Sequence, residues 1–542
     1  MERMGGCNVS TAVEMLRLGR TDELWRKYCG FVDLSIEEFM HIQRRLLLEQ
    51  LKLLAEMPLG RKIMGGRLPG SVDEFRSTVP LTTYQDYTPY LLEKDESMLL
   101  EPPAAWVRTS GRSGEYGCKW VPYSAQMYEH ANRQAFGGLV LAAAGRRGQV
   151  LLEEDDIIFN TLAPEPYISG AVYTRGLLTQ FPLRFIPPLA ESAKMGFGER
   201  IQTGFKLAMQ TGVDIIYGMA SILVRVGEQF SSGGQGFRFS SFYLQPAVLT
   251  RVLRGMARAR LAGRPMLPKD LWRLKAIGVG GMDVSIFRDK IVDFWGREPN
   301  EGYAGSEIMV VACQLWNHKG MTFYPDANFL EFIPEEEHVK AKRDPAYEPQ
   351  TVLLDEVQAG HKYELVVTNF HGGVFVRYRP GDLIEVVAQR DDEIDVDLPQ
   401  MVFHTRADEI IDIAGFTRLT EKTIWRAIQA TGVAYADWTV RKEVEEDKPV
   451  LRLYIELKGE EDLGELRDEV HDNLAKLDED YRDLGALLGL DPLRLTRLSP
   501  GTFDRYYAKK RQEGAELAHM KPPHINPVAQ HVQQLLELSE QG

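Results

Sequence analysis

From Thr109 to Lys119 the chain reads Thr-Ser-Gly-Arg-Ser-Gly-Glu-Tyr-Gly-Cys-Lys, with three small hydroxyl residues and three glycines ahead of one lysine. Glycine lacks the Cβ that keeps backbone away from a ligand, so successive amides can converge on anionic oxygens. The hydroxyls add short donors, and the lysine adds a mobile point charge suited to phosphate. Thr109, Ser110, Gly111, Ser113 and Lys119 are therefore candidate holders of a nucleotide triphosphate. The stretch is not a Walker loop, which places four residues between its glycines and follows the lysine with Ser or Thr. Here five residues separate Gly111 from Gly117, and Cys118 precedes the lysine. A serine-glycine surface loop has the same letters, so the remaining parts of a nucleotide site must be sought elsewhere.

Glu301-Gly-Tyr-Ala-Gly-Ser-Glu307 offers some of them. Tyr303 can stack on a purine and Ser306 can bond a phosphate oxygen. Glu307 can hold Mg²⁺ beside phosphate, since hard cations prefer oxygen ligands. The competing reading is an amphipathic turn with a solvated glutamate. In Arg379-Pro-Gly-Asp382 an aspartate follows a glycine turn. That is ordinary turn chemistry, or a ribose grip with one carboxylate oxygen for each hydroxyl. Lys521 precedes Pro522-Pro523, which stiffen its backbone, although a lysine near a terminus is usually just solvated. Gly278-Val-Gly-Gly-Met-Asp283 lacks the third glycine of a dinucleotide fingerprint and reads as a turn. No Gly-x-Ser-x-Gly, His-Glu-x-x-His or cysteine pair points to a serine hydrolase or a zinc site.

Several elements must position these groups. Ser35 to Glu38 is a capping box for a helix with an apolar stripe at Phe39, Ile42, Leu46, Leu53 and Leu54, stopped by Pro58 and Gly60. Strand-like runs at Ile157–Phe159, Asp214–Gly218 and Leu274–Val279 alternate with helical ones such as Ile286–Trp295, while Gly170–Tyr173 reads as turn-rich. This alternation predicts parallel sheets with helices on their faces. Tyr363–Thr368, Val374–Arg379 and Leu383–Val387 read as further strands, and the acidic run Asp391–Asp397 as a solvated loop. Beyond Arg406–Gly415 come a helix at Thr420–Ala430, strands at Trp438–Val440 and Leu451–Leu457, and a helix with apolar steps from Leu463 to Tyr481. Leu451, Leu453, Ile455 and Leu457 alternate with polar neighbours, as in a strand buried on one face. The expected fold is α/β: a large N-terminal domain (1–404) of α/β sheets packed with helices, and a smaller mobile C-terminal α+β domain (405–542).

A chain of 542 residues is too long for one core. Its net charge of −14 argues against a nucleic-acid surface. No apolar run is long enough to span a bilayer, and the first residues lack the core of a signal peptide. Four scattered cysteines fit reduced thiols in the cytoplasm.

Four separated stretches together resemble the adenylate-forming superfamily of acyl-CoA synthetases, adenylation domains and luciferases. Thr109–Lys119 looks like its phosphate loop and Tyr303–Glu307 like its aromatic-Gly-x-Thr-Glu element. Tyr378–Asp382 looks like its ribose-binding Gly-Asp, and Arg406–Gly415 like its hinge. Within that superfamily the chain is similar to the Gretchen Hagen acyl-acid amido synthetases over Phe75–Tyr90, Val366–Asp382, Pro500–Phe503 and Gly514–His524. The resemblance implies ATP and Mg²⁺, with Thr109, Ser110 and Ser113 on the β- and γ-phosphates. Tyr303 would pack on adenine, Ser306 would meet the α-phosphate, Glu307 would bind the metal, and Asp382 would grip the ribose with Arg406 nearby. Asp408 would be the hinge, and the catalytic Lys521 would neutralise charge as carboxylate and α-phosphate join. Arg112 stands where the superfamily has a small hydroxyl residue, the loop is longer, and Ala414–Thr417 looks more like general adenylating enzymes. The implied activity is acyl-AMP formation from a small carboxylic acid, then transfer to an amine, an amino acid foremost. A ligase using coenzyme A and a nucleotide-binding scaffold without turnover are the alternatives.

Overall fold

The computed structural model describes residues 11–109, 118–231, 241–280, 284–344, 346–406, 410–512 and 524–540. Its strands are β1 (Ala105–Arg108), β2 (Trp120–Tyr123), β3 (Ile157–Asn160), β4 (Arg184–Ile186), β5 (Ile215–Met219), β6 (Ala276–Gly280) and β7 (Pro299–Gly305). They continue with β8 (Met309–Gln314), β9 (Met321–Phe323), β10 (Asn328–Pro334), β11 (His361–Asn369), β12 (Asp382–Ala388) and β13 (Gln400–Arg406). Last come β14 (Ile410–Ile413), β15 (Thr417–Thr420), β16 (Tyr435–Glu445), β17 (Lys448–Leu457) and β18 (Leu493–Leu498).

Eleven strands form one mixed sheet in the order β10-β11-β12-β13-β9-β8-β7-β6-β5-β3-β4. From β4 to β7 every pairing is parallel; from β7 to β10 every pairing is antiparallel. The expectation of parallel sheets therefore holds for only five strands. Those five are joined by segments long enough to cross over, including the helices Phe197–Thr211, Ala220–Ser231 and Val284–Trp295. Strand β7 is where the sheet changes sense, and Ser306-Glu307 leave its carboxyl end.

Glycines misled the local reading in three places. Gly170–Tyr173 is helical, not a turn, within a helical run from Ile168 to Gln180. A Cβ at Gly170 would lie 2.0 Å from the Glu165 nitrogen, so close packing requires that glycine. Gly278 lies inside β6, where a Cβ would fall 2.3 Å from the Tyr217 ring, so the near-fingerprint begins as a strand rather than a turn. Pro58 ends one helix but also opens the next, Pro58–Ile63, which contains Gly60.

Val374–Arg379 is not a strand: only Tyr378 makes bridges, to Thr82 and Val367. Arg377 adopts φ +43° and turns its guanidinium into a buried pair with Glu331, at 3.1 Å and 2.9 Å. It also donates to the carbonyls of Arg76 and Val79, at 2.6 Å each. Arg379 forks onto Glu364 at 2.8 and 2.7 Å. The segment leading to Asp382 is thus pinned by ion pairs rather than by a strand ladder. Glu331→Gln keeps the shape but loses the charge, and is expected to cost about 1.5–3 kcal/mol. A lowered urea midpoint would show this; an unchanged midpoint would contradict it. The acidic run is also only partly solvated, because Asp391 is buried and accepts from Asn317 at 2.6 Å.

Residues beyond β13 build a separate apolar cluster that includes Ile424, Ile428, Trp438, Val440, Leu451, Leu453, Val470 and Leu474. Strand β17 is covered on both faces, contrary to the one-face expectation. Tyr454 packs with Leu498, Phe503, Tyr506, Val532 and Leu535 beneath the helices Thr502–Gln512 and Ala529–Glu540. No helix among the described residues is long and apolar enough to cross a membrane.

Candidate active site

Strands β1 and β2 form a hairpin whose mouth is Thr109 and Lys119. The Thr109 N–H donates to the Lys119 carbonyl at 3.0 Å. The Lys119 N–H returns a bond to Thr109 Oγ1 at 3.1 Å, closing the base of the glycine-rich run. Two bonds tie this hairpin to the turn after β7. Ser306 Oγ donates to the Arg108 carbonyl at 3.1 Å, and Tyr123 Oη donates to the Ser306 carbonyl at 2.9 Å. Burial, with the Glu307 charge adding to it, pushes the Tyr123 phenol well above its ordinary value. The phenol therefore stays protonated as a donor.

Glu307 Oε1 accepts from Lys119 Nζ at 3.2 Å and from Tyr378 Oη at 3.2 Å, and Lys119 also reaches Tyr378 Oη at 3.3 Å. The ammonium lies 5.3 Å from the centre of the Tyr84 ring. The turn itself is held through Asn369, which donates to the Glu307 carbonyl at 3.0 Å, and Asn328, which donates to the Ile308 carbonyl at 2.6 Å. Four residues before Glu307, Tyr303 Oη donates to Asp382 Oδ2 at 2.6 Å. Asp382 opens β12 and pairs in register with Arg406 of β13.

Thr109, Lys119, Ser306 and Glu307 are thereby tied together by contacts, and Tyr303, three residues before Ser306, holds Asp382. Ser110, Gly111, Ser113, Asp408 and Lys521 lie outside the described residues, and so does the side chain of Arg406. One expectation needs correction. Asp382 is not a projecting turn residue but is 7% exposed, although the turn before it is present, with Gly381 at φ +81°. Tyr303 is likewise buried, with its ring centre 6.0 Å from that of Phe403. Asp382→Ala is consequently expected to weaken ATP binding and also to cost about 1–3 kcal/mol, because the buried Tyr303 hydroxyl loses this acceptor. Calorimetric titration with ATP and a thermal melt read the two effects separately; wild-type values in both would contradict the placement.

Sequence reasoning passed over Tyr378, Tyr123 and Tyr84, because their roles appear only once the loops meet. Tyr217 packs in the core against Tyr173 at 6.2 Å. Tyr167 lies under the Arg108 guanidinium at 4.6 Å. His524 was also missed. Its ring bonds Glu421 at 2.6 Å and Asp437 at 2.9 Å and stacks on Trp438 at 4.4 Å. Burial alone would depress its pKa, but the two carboxylates outweigh it and raise the value.

Among solved structures, this fold is similar to that of a 2-hydroxyisobutyryl-CoA ligase in complex with 2-HIB-AMP and CoA. The TM-score is 0.53 and the identity 15%, over 88% of each chain. It is also similar to the AtGH3.15 acyl acid amido synthetase in complex with 2,4-DB, with a TM-score of 0.51 and 17% identity over 99% of this chain and 97% of that one. The mixed sheet and its appended α+β unit are thus a fold shared with these two enzymes. The GH3 family N-terminal domain matches residues 30–181, its central domain 321–406 and its C-terminal domain 420–528, more than half of the chain together. The chain belongs to the GH3 family. Among curated relatives it is 28% identical over 222 residues to jasmonoyl–L-amino acid synthetase JAR4 of Nicotiana attenuata, covering 39% of this chain and 36% of that protein. It is 26% identical over 231 residues to jasmonoyl–L-amino acid synthetase GH3.5 of Oryza sativa subsp. japonica, covering 39% and 38%. The matched stretches therefore span little more than a third of those relatives' length.

Proposed function

We propose that the chain activates a small carboxylic acid with ATP and passes the acyl group to an amine, most simply an amino acid. The observation that carries this reading is that contacts tie the Thr109–Lys119 hairpin to Ser306 and Glu307, while Tyr303 on the strand leading into them holds Asp382. In the first step a carboxylate oxygen attacks the α-phosphorus and pyrophosphate leaves, giving acyl-AMP. In the second, the amine nitrogen attacks the acyl carbon, AMP departs and the nitrogen loses a proton.

Thr109, Ser110, Gly111, Ser113 and Lys119 hold the β- and γ-phosphates. Ser306 meets the α-phosphate, while Asp382, oriented by Tyr303 and flanked by Arg406, grips the ribose. Among the described residues no group of three or more His, Cys, Asp or Glu could hold a metal by itself. A single carboxylate at Glu307 fits Mg²⁺, which takes one or two protein oxygens and fills its shell from phosphate and water. When bound there, the ion neutralises charge on the phosphates. Residues 1–404 form the adenylating domain and 405–542 a lid that turns at Asp408 and carries Lys521. Cys29, Cys118 and Cys313 are free thiols, which suits a cytoplasmic enzyme.

The fold shared with a coenzyme A ligase supports a second acceptor. One assay separates the readings: pyrophosphate release across aryl, indolyl and fatty acids, followed by supply of amino acids or coenzyme A. Amide formation supports the proposal, and thioester formation the second reading. ATP binding with no pyrophosphate release for any acid would leave a nucleotide-binding scaffold.

A further inference from the structure

Arg200, in the first turns of the helix Phe197–Thr211, is 4% exposed, and its Nε is fully buried without a hydrogen-bond partner. Several other buried or half-buried arginines are answered by carboxylates or carbonyls, although the Nε of Arg297 is also unpaired. Arg377 meets Glu331, Arg379 meets Glu364, Arg251 donates to the carbonyls of Ala208 and Met209, and Arg297 donates to those of Ala142 and Ala143. Beside Arg200 there is the Phe197 ring, 5.6 Å from its Cζ, and no acceptor or carboxylate among the described residues. Burial depresses its pKa, with no neighbouring charge to offset the effect. An ionised group withdrawn from water without a partner destabilises a fold. Its retention therefore points to a counter-charge that arrives from outside.

The position narrows what that charge is. Gly204, one helical turn on and on the same face, would place a Cβ 2.5 Å from the Phe159 ring and 3.0 Å from Pro187. This face consequently lies over the carboxyl ends of β3 and β4. Phe197 meets Phe416 of the β14–β15 turn edge-on at 5.4 Å, and Ile201 packs on the C-terminal cluster. Arg200 thus stands where the carboxyl edge of the parallel strands meets the C-terminal unit. The loop leaving β3 runs on to the candidate site, since Arg108 N–H donates to the Pro166 carbonyl at 2.9 Å. The Arg108 carbonyl in turn receives Ser306 Oγ. In open α/β sheets this edge is where ligands collect.

We infer that Arg200 receives the carboxylate of an α-amino acid acceptor where the large sheet meets the C-terminal unit. This rests on the proposed adenylation. The acid's own carboxylate loses its charge when it joins the α-phosphate, so a guanidinium lodged elsewhere gains nothing from it. An amino acid acceptor keeps its carboxylate through the reaction, and a planar fork matches that group with two parallel bonds. Coenzyme A would offer phosphates instead, and a plain amine would offer no anion at all.

The test uses the full chain as wild type, Arg200→Gln and Arg200→Met. With the acid that gives the greatest pyrophosphate exchange, amide formation is compared for each standard amino acid and for the amine left by its decarboxylation. Wild type should prefer the amino acid by roughly 10–100-fold, as expected for one charge-assisted contact. In Arg200→Gln the KM for the amino acid should rise until that preference disappears, while the KM for ATP moves far less. A preference retained in Arg200→Gln, or coenzyme A used in place of amino acids, would overturn the inference. Thermal melts supply an arm independent of turnover. An amino acid should raise the Tm of wild type and not that of Arg200→Met, and Arg200→Met alone should melt no lower than wild type. A lower Tm for Arg200→Met would make Arg200 a structural residue and sink the idea. Should no acid support exchange, the adenylation reading fails by itself, and wild type stabilised by no amino acid then rejects the Arg200 assignment separately.

Discussion

Glu307→Gln is expected to lower acid-dependent ATP–pyrophosphate exchange by roughly 10²–10³, the range for losing one preorganised charge-stabilising group. Glutamine has the shape of glutamate and keeps an oxygen that Tyr378 can reach, so the turn after β7 should persist. What disappears is the negative charge. Without it Mg²⁺ would lose the carboxylate proposed to hold it, and the largely buried Lys119 ammonium, now 3.2 Å from Glu307 Oε1, would lose its counter-ion. The two effects have separate signatures. Raising the Mg²⁺ concentration should restore part of the exchange if metal binding dominates, whereas a displaced Lys119 would weaken ATP binding at every Mg²⁺ concentration. Exchange at the wild-type level in a folded Glu307→Gln protein would remove Glu307 from the proposed chemistry.

Lys521→Ala is expected to have an effect of the same size, roughly 10²–10³ on exchange. This role rests on the likeness of Gly514–His524 to the family's C-terminal end, since Lys521 lies outside the described residues. The ammonium is assigned to the moment when two anions, the carboxylate and the α-phosphate, are forced together. Its loss should fall on the rate and leave the affinity for ATP nearly unchanged. The neighbouring described residues supply a firm base: the His524 carbonyl accepts from Val440 N–H at 2.7 Å, and Asn526 N–H donates to the Val440 carbonyl at 2.8 Å. A folded Lys521→Ala protein with unaltered exchange would refute the role.

The parts of the site that were legible in the sequence are those encoded by a few adjacent residues. A glycine-rich run before a lysine, Tyr303 to Glu307, and Gly381-Asp382 each state their chemistry locally, and the fold brings their described members together. What failed depended on distant partners. Nothing near Asp382 announces that Tyr303 will hold its carboxylate at 2.6 Å, so a buried residue read as an exposed turn. Val374–Arg379 has strand composition, yet Glu331 and Glu364 draw its arginines out of a strand ladder. Gly170 and Gly278 read as turn residues, whereas tertiary packing admits no side chain at either. The change of sheet sense at β7 escaped for a related reason, because strand direction is set by crossovers and not by strand composition. Arg200 is the extreme case: burial without a partner leaves no trace in the letters around it.

The proposal that one ATP is enclosed by these loops is tested most directly by a crystal structure with α,β-methylene-ATP and Mg²⁺. Its phosphates should lie between the Thr109–Lys119 hairpin and Ser306-Glu307, with the ribose hydroxyls on Asp382. A nucleotide bound in a different cavity, with Glu307 and Asp382 both remote from it, would contradict the proposal.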